Sequence, residues 1–148
     1  MSQTPADPVV GVLDTCVVID AGLGLIDLDL LPDVQLITAI TLGELAFGSL
    51  AAESTQERAV RQIRLHRTEV SFGDSVLPYD ADAARAYGGV CASVVASGRS
   101  TRRRVADLQI AAIAVSRSLP LFTVSHRDFV GIDALLLVPL ERNERSGL

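Results

Sequence analysis

Pro8-Val-Val-Gly-Val-Leu-Asp14-Thr15-Cys-Val-Val-Ile19 is a short apolar run that stops at an acid and resumes as aliphatic residues behind a threonine. An apolar run of this length reads as a buried strand, and the residues after it as helical turns. The turns are expected from about Val17 to Leu31, where Pro32 stops them. Val34 to Ile40 is a second apolar, β-branched run.

Working outward, Thr41-Leu-Gly-Glu44 opens a helix backed by Leu45, Phe47 and Leu50, and a further helix is expected from Thr55 to about Arg67. Ser75 to Pro78 is a short strand. Asp80 caps a helix running through Ala83, Ala84 and Tyr87. Ala96 to Ser100 is a loop, and Arg104 to Ser118 a helix so apolar on most faces that it must be buried. Leu121 to Val124 and Leu135 to Val138 close the pattern as strands. Strands alternating with helices predict a three-layer α/β/α sandwich around a mainly parallel sheet. In such a sheet the active crevice lies beyond the carboxyl ends of the strands.

The whole chain bounds the function. Its 148 residues fit one domain, and with only 4% aromatic residues the core must be aliphatic. Two cysteines, Cys16 and Cys91, are too few for a disulfide framework or a Cys-based zinc site. The N-terminus has neither the basic nor the apolar segment of a signal peptide, and no apolar stretch reaches the roughly 18 residues that span a bilayer. A cytosolic protein without a membrane contact is expected. The net charge of −5 argues against a nucleic-acid partner, but the positive charge is clustered: Arg99, Arg102, Arg103 and Arg104 fall together, and every basic residue is arginine.

Three acids stand out. Asp14 fits an N-cap and a metal ligand at a strand end equally well. Thr41 and Glu44 have the spacing of a capping box, and taken alone that explanation prevails for Glu44. Asp107 lies among Val105, Ala106, Leu108 and Ile110, where an unpaired carboxylate is costly. It is either a first-turn acid favoured by the helix dipole, an arginine partner, or a metal ligand, the last being the sharper explanation. Asp128 fits a turn as well as a ligand. Asp20, Asp80 and Asp82 read as helix-end acids, and Asp27, Asp29 and Asp33 as a solvated loop. Pooled acids from distant segments suit a hard cation such as Mg²⁺, which takes oxygen ligands with only one or two direct carboxylates.

These motifs resemble those of PIN-domain nucleases. Val12-Leu-Asp14-Thr15-Cys-Val-Val-Ile19 is similar to their opening motif. Thr41-Leu-Gly-Glu44-Leu-Ala-Phe-Gly48 resembles the second, and Ala106-Asp107-Leu-Gln-Ile-Ala-Ala-Ile-Ala114 the third. Leu121-Phe-Thr123-Val-Ser125-His-Arg-Asp128-Phe129 resembles the fourth, except that Ser125 stands where many members carry Asn or Asp. The match runs from about Val9 to Leu140, so residues 1–148 are expected to form a single PIN-like domain. Its compact form resembles the VapC toxins of toxin–antitoxin pairs. That resemblance implies an endoribonuclease using Mg²⁺ or Mn²⁺, an RNA substrate, a VapB-type antitoxin and a homodimer. It also implies that Asp14, Glu44 and Asp107 are the catalytic acids, with Asp14 and Asp107 on the metal and Thr15 and Thr123 as supporting hydroxyls.

Other classes fit poorly. A haloacid-dehalogenase-type phosphatase needs a second acid where Cys16 stands, and it, receiver domains and P-loop enzymes use a lysine that this chain lacks. No Gly-x-Ser-x-Gly elbow is present. The remaining rival is a PIN-like fold that has lost catalysis and serves as a protein-binding module. Leu23 to Leu31 and Leu45 to Leu50 hold more large apolar residues than one helical face buries, which predicts either an ordinary core or an antitoxin groove and a dimer interface.

Overall fold

The computed structural model describes residues 6–144, with the strand before Asp14 at its centre. β1 (Val10–Leu13) sends alternate side chains to opposite faces, so Val12 is buried on one side and Leu13 on the other. β4 (Leu121–Thr123) lies parallel beside it, with Val12 opposite Leu121 and Leu13 opposite Phe122. β2 (Val34–Thr38) flanks the other edge. β3 (Val76–Leu77) and β5 (Leu137–Pro139) complete an all-parallel five-stranded sheet in the order β3-β2-β1-β4-β5.

Helices cover both faces because parallel strands joined by crossovers bury both sides of the sheet. α4 (Ala81–Ala96), which Asp80 caps, and α5 (Val105–Ser116) pack Val90, Val94, Leu108 and Ile110 against Val12 and Leu121. On the opposite face α1 (Thr15–Gly22) contributes Val17, and α3 (Thr55–Phe72) contributes Phe72, to a cluster around Leu13, Ile37 and Phe122. α2 (Ala39–Leu50) packs on α3 and touches α5. The three-layer sandwich expected from the sequence is the architecture observed. Where β1 passes β4, a β-carbon on Gly11 would run into the Phe122 ring, so only glycine fits there.

Boundaries differ from expectation in several places, and β5 begins at Leu137 instead of Leu135. α1 ends at Gly22 instead of Leu31, since Gly24 turns the chain with φ +70°, and a lone 3-10 turn (Leu28–Leu30) capped by Asp27 follows. α2 starts at Ala39, capped by Thr38, so Ile40 is helical and not part of the strand. α3 continues past Arg67 to Phe72.

Asp20, read as a helix-end acid, does lie in the last turn of α1, where it is buried and paired with Arg142, whose Nε lies 2.6 Å from Oδ2. With the Asn143 amide donating to the Leu25 carbonyl, this fastens the final described residues across the end of α1. Among the described residues no helix is long and apolar enough to cross a membrane.

Candidate active site

The strand order reverses direction between β1 and β4, and a sheet of this kind forms its crevice beyond the carboxyl ends of the strands at such a switch point. Asp14 follows β1 directly and is buried there. It is the N-cap of α1, one of the two roles its sequence context allowed, and its carboxylate stands at the strand end. Oδ1 accepts the Thr15 amide at 2.9 Å, while Oδ2 accepts the Thr123 hydroxyl at 2.8 Å from the end of β4. The Ser125 amide donates to the Thr123 oxygen at 3.0 Å, so the hydroxyl proton stays committed to Asp14.

Glu44 is brought to the same crevice by α2. Because Thr38 caps that helix, Thr41 is its third residue and Glu44 lies a turn further on, which removes the capping-box explanation. Glu44 Oε1 instead accepts the Thr15 hydroxyl at 2.7 Å. That hydroxyl also lies 2.9 Å from the Thr41 hydroxyl. A hydroxyl has one proton to give. With Thr15 donating to Glu44, Thr41 must donate to Thr15, and the chain Thr41, Thr15, Glu44 points one way. Thr41 is fully buried, and nothing in the sequence marks it. The nearest signal is a threonine three residues before the acid, which reads as a cap. Burial raises the Glu44 pKa, the Thr15 hydrogen bond lowers it, and Asp14 raises it further.

Asp107 enters from the first turn of α5, which no side chain caps. Burial first, then the charges of Asp14, Glu44 and Asp128, push its carboxyl up to about 6, against a small opposing effect of Arg104. The three acids singled out in the sequence therefore feel one another across a single crevice. Among the described residues, however, no three His, Cys, Asp or Glu side chains stand close enough to form a ready metal cage. Their donors are all hard oxygens, as Mg²⁺ and Mn²⁺ prefer, and Mg²⁺ needs only one or two direct carboxylates with water filling the rest. The group fits such an ion.

Cys16 borders the site, with Sγ 3.2 Å from Asp14 Oδ2. Burial and the Asp14 charge push its thiol up to about 11, so it stays protonated and donates. Asp128 lies in a 3-10 turn (His126–Phe129), where Arg104 Nη1 donates to its carbonyl at 3.1 Å. Its neighbour Phe129 is core. His66 and His126 are exposed on the surface.

A wholly parallel α/β sandwich, with Asp14 just after β1, Glu44 on α2 and Asp107 in the first turn of α5, is the arrangement of a PIN-type domain. No protein-family model matches the chain. Ribonuclease VapC5 of Mycobacterium tuberculosis is 42% identical over 144 residues, 96% of this chain and 99% of that protein. VapC ribonuclease Y4jK of Sinorhizobium fredii is 36% identical over 109 residues, 73% of this chain and 74% of its own length. Among solved structures, VapBC-5 from M. tuberculosis, a member of the VapBC family of toxin–antitoxin systems, superposes with TM-score 0.74 and 38% identity. That match covers 89% of this chain and 99% of the other. The chain belongs to the VapC family of PIN-domain ribonucleases.

Proposed function

We propose that this protein is a divalent-metal-dependent endoribonuclease, a single nuclease domain acting as the toxin of a toxin–antitoxin pair. The observation that carries the reading is the gathering of like charge at the strand ends: Asp107, half-buried, is held against Asp14, Glu44 and Asp128. A folded chain that keeps such repulsion at a strand-end crevice has a use for a cation there. Asp14 and Asp107 would hold Mg²⁺ (or Mn²⁺) directly, with Glu44 beside them. When bound, such an ion stabilises negative charge on the phosphodiester and makes an attacking water more acidic.

The chain's own residues do the positioning. The Thr123 hydroxyl and the Thr15 amide fix both oxygens of Asp14, and the Thr41–Thr15 relay aims Glu44. Glu44, its carboxyl raised by burial, is the group suited to orienting water and taking its proton. RNA as substrate is supported by the two VapC ribonucleases to which the chain is similar.

A VapB-type antitoxin is the proposed partner, supported by likeness to VapBC-5 and by an apolar groove. The groove, of about 660 Å³, lies between α1, the first 3-10 turn and α3, and Leu23, Leu28, Val60 and Ile63 line it. An amphipathic helix suits such a groove. Phe47 and Leu50, both 72% exposed on α2, are further apolar surface, and a homodimer in the cytoplasm completes the proposal.

The test is cleavage of RNA by purified protein with Mg²⁺, with Mn²⁺ and with EDTA. Cleavage should require the metal, and Asp14→Asn should lower it by orders of magnitude. Wild-type protein that leaves RNA intact with both metals would return the chain to a non-catalytic binding role.

A further inference from the structure

The arginine run before α5 divides into two kinds of residue. Arg99 Nη1 donates to the carbonyls of Arg127 and Val130 at 2.7 and 3.3 Å, and Arg104 Nη1 donates to that of Asp128. Those two brace the 3-10 turn that follows β4. Arg102 and Arg103 are exposed and, among the described residues, have no ion-pair partner. With Arg99, Ser100 and Arg104 they line a cavity of about 500 Å³. That is within the roughly 300–1,000 Å³ typical of ligand pockets.

We propose that this cavity is a phosphate-binding subsite of the active crevice, in which Arg102 and Arg103 hold the RNA backbone at a nucleotide flanking the one cleaved. The inference rests on the ribonuclease reading. Charge favours it. The protein carries a net −5, and its crevice is lined by acids, so an RNA strand meets repulsion except where a cation stands. A metal between the acids compensates at the scissile phosphate alone. The neighbouring phosphates need fixed positive charge, and the cavity begins at Arg104, three residues before Asp107. Asp107 already occupies the first turn of α5, so the anion is held by the guanidinium groups rather than the helix end. Guanidinium is suited to this, since its planar fork pairs with phosphate oxygens two at a time. Arg99 and Arg104, already committed to carbonyls, keep the wall rigid.

Phosphate contacts carry no base information, so losing them should weaken all RNA sequences alike. The probe is a dye-labelled single-stranded RNA oligonucleotide, bound by full-length protein carrying Asp14→Asn in EDTA and followed by anisotropy between 50 and 200 mM salt. Replacing Arg102 and Arg103 by Ala should weaken binding about tenfold and make the salt slope shallower by about 1.4, at roughly 0.7 per phosphate released on a single strand. The double Lys variant should keep the slope. An unchanged slope and affinity in the Ala variant would overturn the subsite. So would a variant that still binds RNA normally but loses affinity for the antitoxin, which would make the cavity a protein interface. Cleavage by the wild-type protein, scored separately with Mg²⁺, distinguishes the two failures. If RNA is cut while the slope is unmoved, the subsite alone falls.

Discussion

Asp107→Asn should stabilise the fold while destroying its activity. Raising a carboxyl from 3.8 to about 6 means that the folded protein disfavours the charged form by about 3 kcal/mol. Water reaches part of this half-buried side chain, so roughly half of that survives screening. Asparagine gives up the favourable helix-dipole interaction of a first-turn acid, about 0.5 kcal/mol. The repulsion wins, leaving a net gain of about 1 kcal/mol at neutral pH without metal, or about 3 °C in Tm for a chain of this length.

The pH dependence has a definite sign. Between about pH 4 and 6 the folded state binds more protons at Asp107 than the unfolded state does, so wild-type stability falls as pH rises through that window. Asparagine does not titrate, and the two proteins should converge below pH 4. Added Mg²⁺ should also narrow the gap by neutralising the wild-type site. The assay is thermal and urea unfolding of both proteins in EDTA from pH 3.5 to 8. An Asn variant no more stable at pH 7.5, or one whose advantage persists at pH 3.5, would refute the electrostatic origin.

Glu44→Gln should be at least as stable as wild type in EDTA, since burial and Asp14 already disfavour its charge, but bind Mn²⁺ more weakly in calorimetry and cleave RNA far more slowly; unchanged affinity and rate would make Glu44 a bystander. Thr41→Val removes the donor to Thr15, costing about 1–2 kcal/mol in urea unfolding and lowering kcat more than KM, and Thr41→Ser should restore both. A serine variant as slow as the valine one would count against the relay. Gly11→Ala forces a β-carbon into the Phe122 ring and should lose about 1–3 kcal/mol; a melting point equal to wild type would mean the strands can part without cost.

The strand before Asp14 is legible because an apolar run ending in an acid is a local pattern, and α5 because its apolar residues cover nearly every face. Asp80 declares its helix in the same way. What escapes is set by distant parts of the chain. Ile40 belongs by propensity to a strand, yet the Thr38 cap turns it into helix, and that shift moves Glu44 from a structural position to the crevice. Thr41 is ordinary in sequence and gains its role only because Thr15, from another element, comes within 2.9 Å. Asp20 reads as a helix-end acid, and its partner Arg142, 122 residues away, cannot be read from the local pattern.

The pairing of β1 with β4 should also set when the proposed nuclease can act during its own synthesis. Val12 faces Leu121, and the hydroxyl that holds Asp14 comes from Thr123, 109 residues later. A nascent chain that has already emerged past Asp107 carries all three acids but has no second wall to its crevice. Ribosome-bound or prematurely ended chains should therefore be harmless, and a fragment stopping at Ser116 should leave RNA uncut. Contacts between the two ends of a chain are slow to form. In a toxin, that delay leaves time for an antitoxin made alongside it to arrive before the first cut.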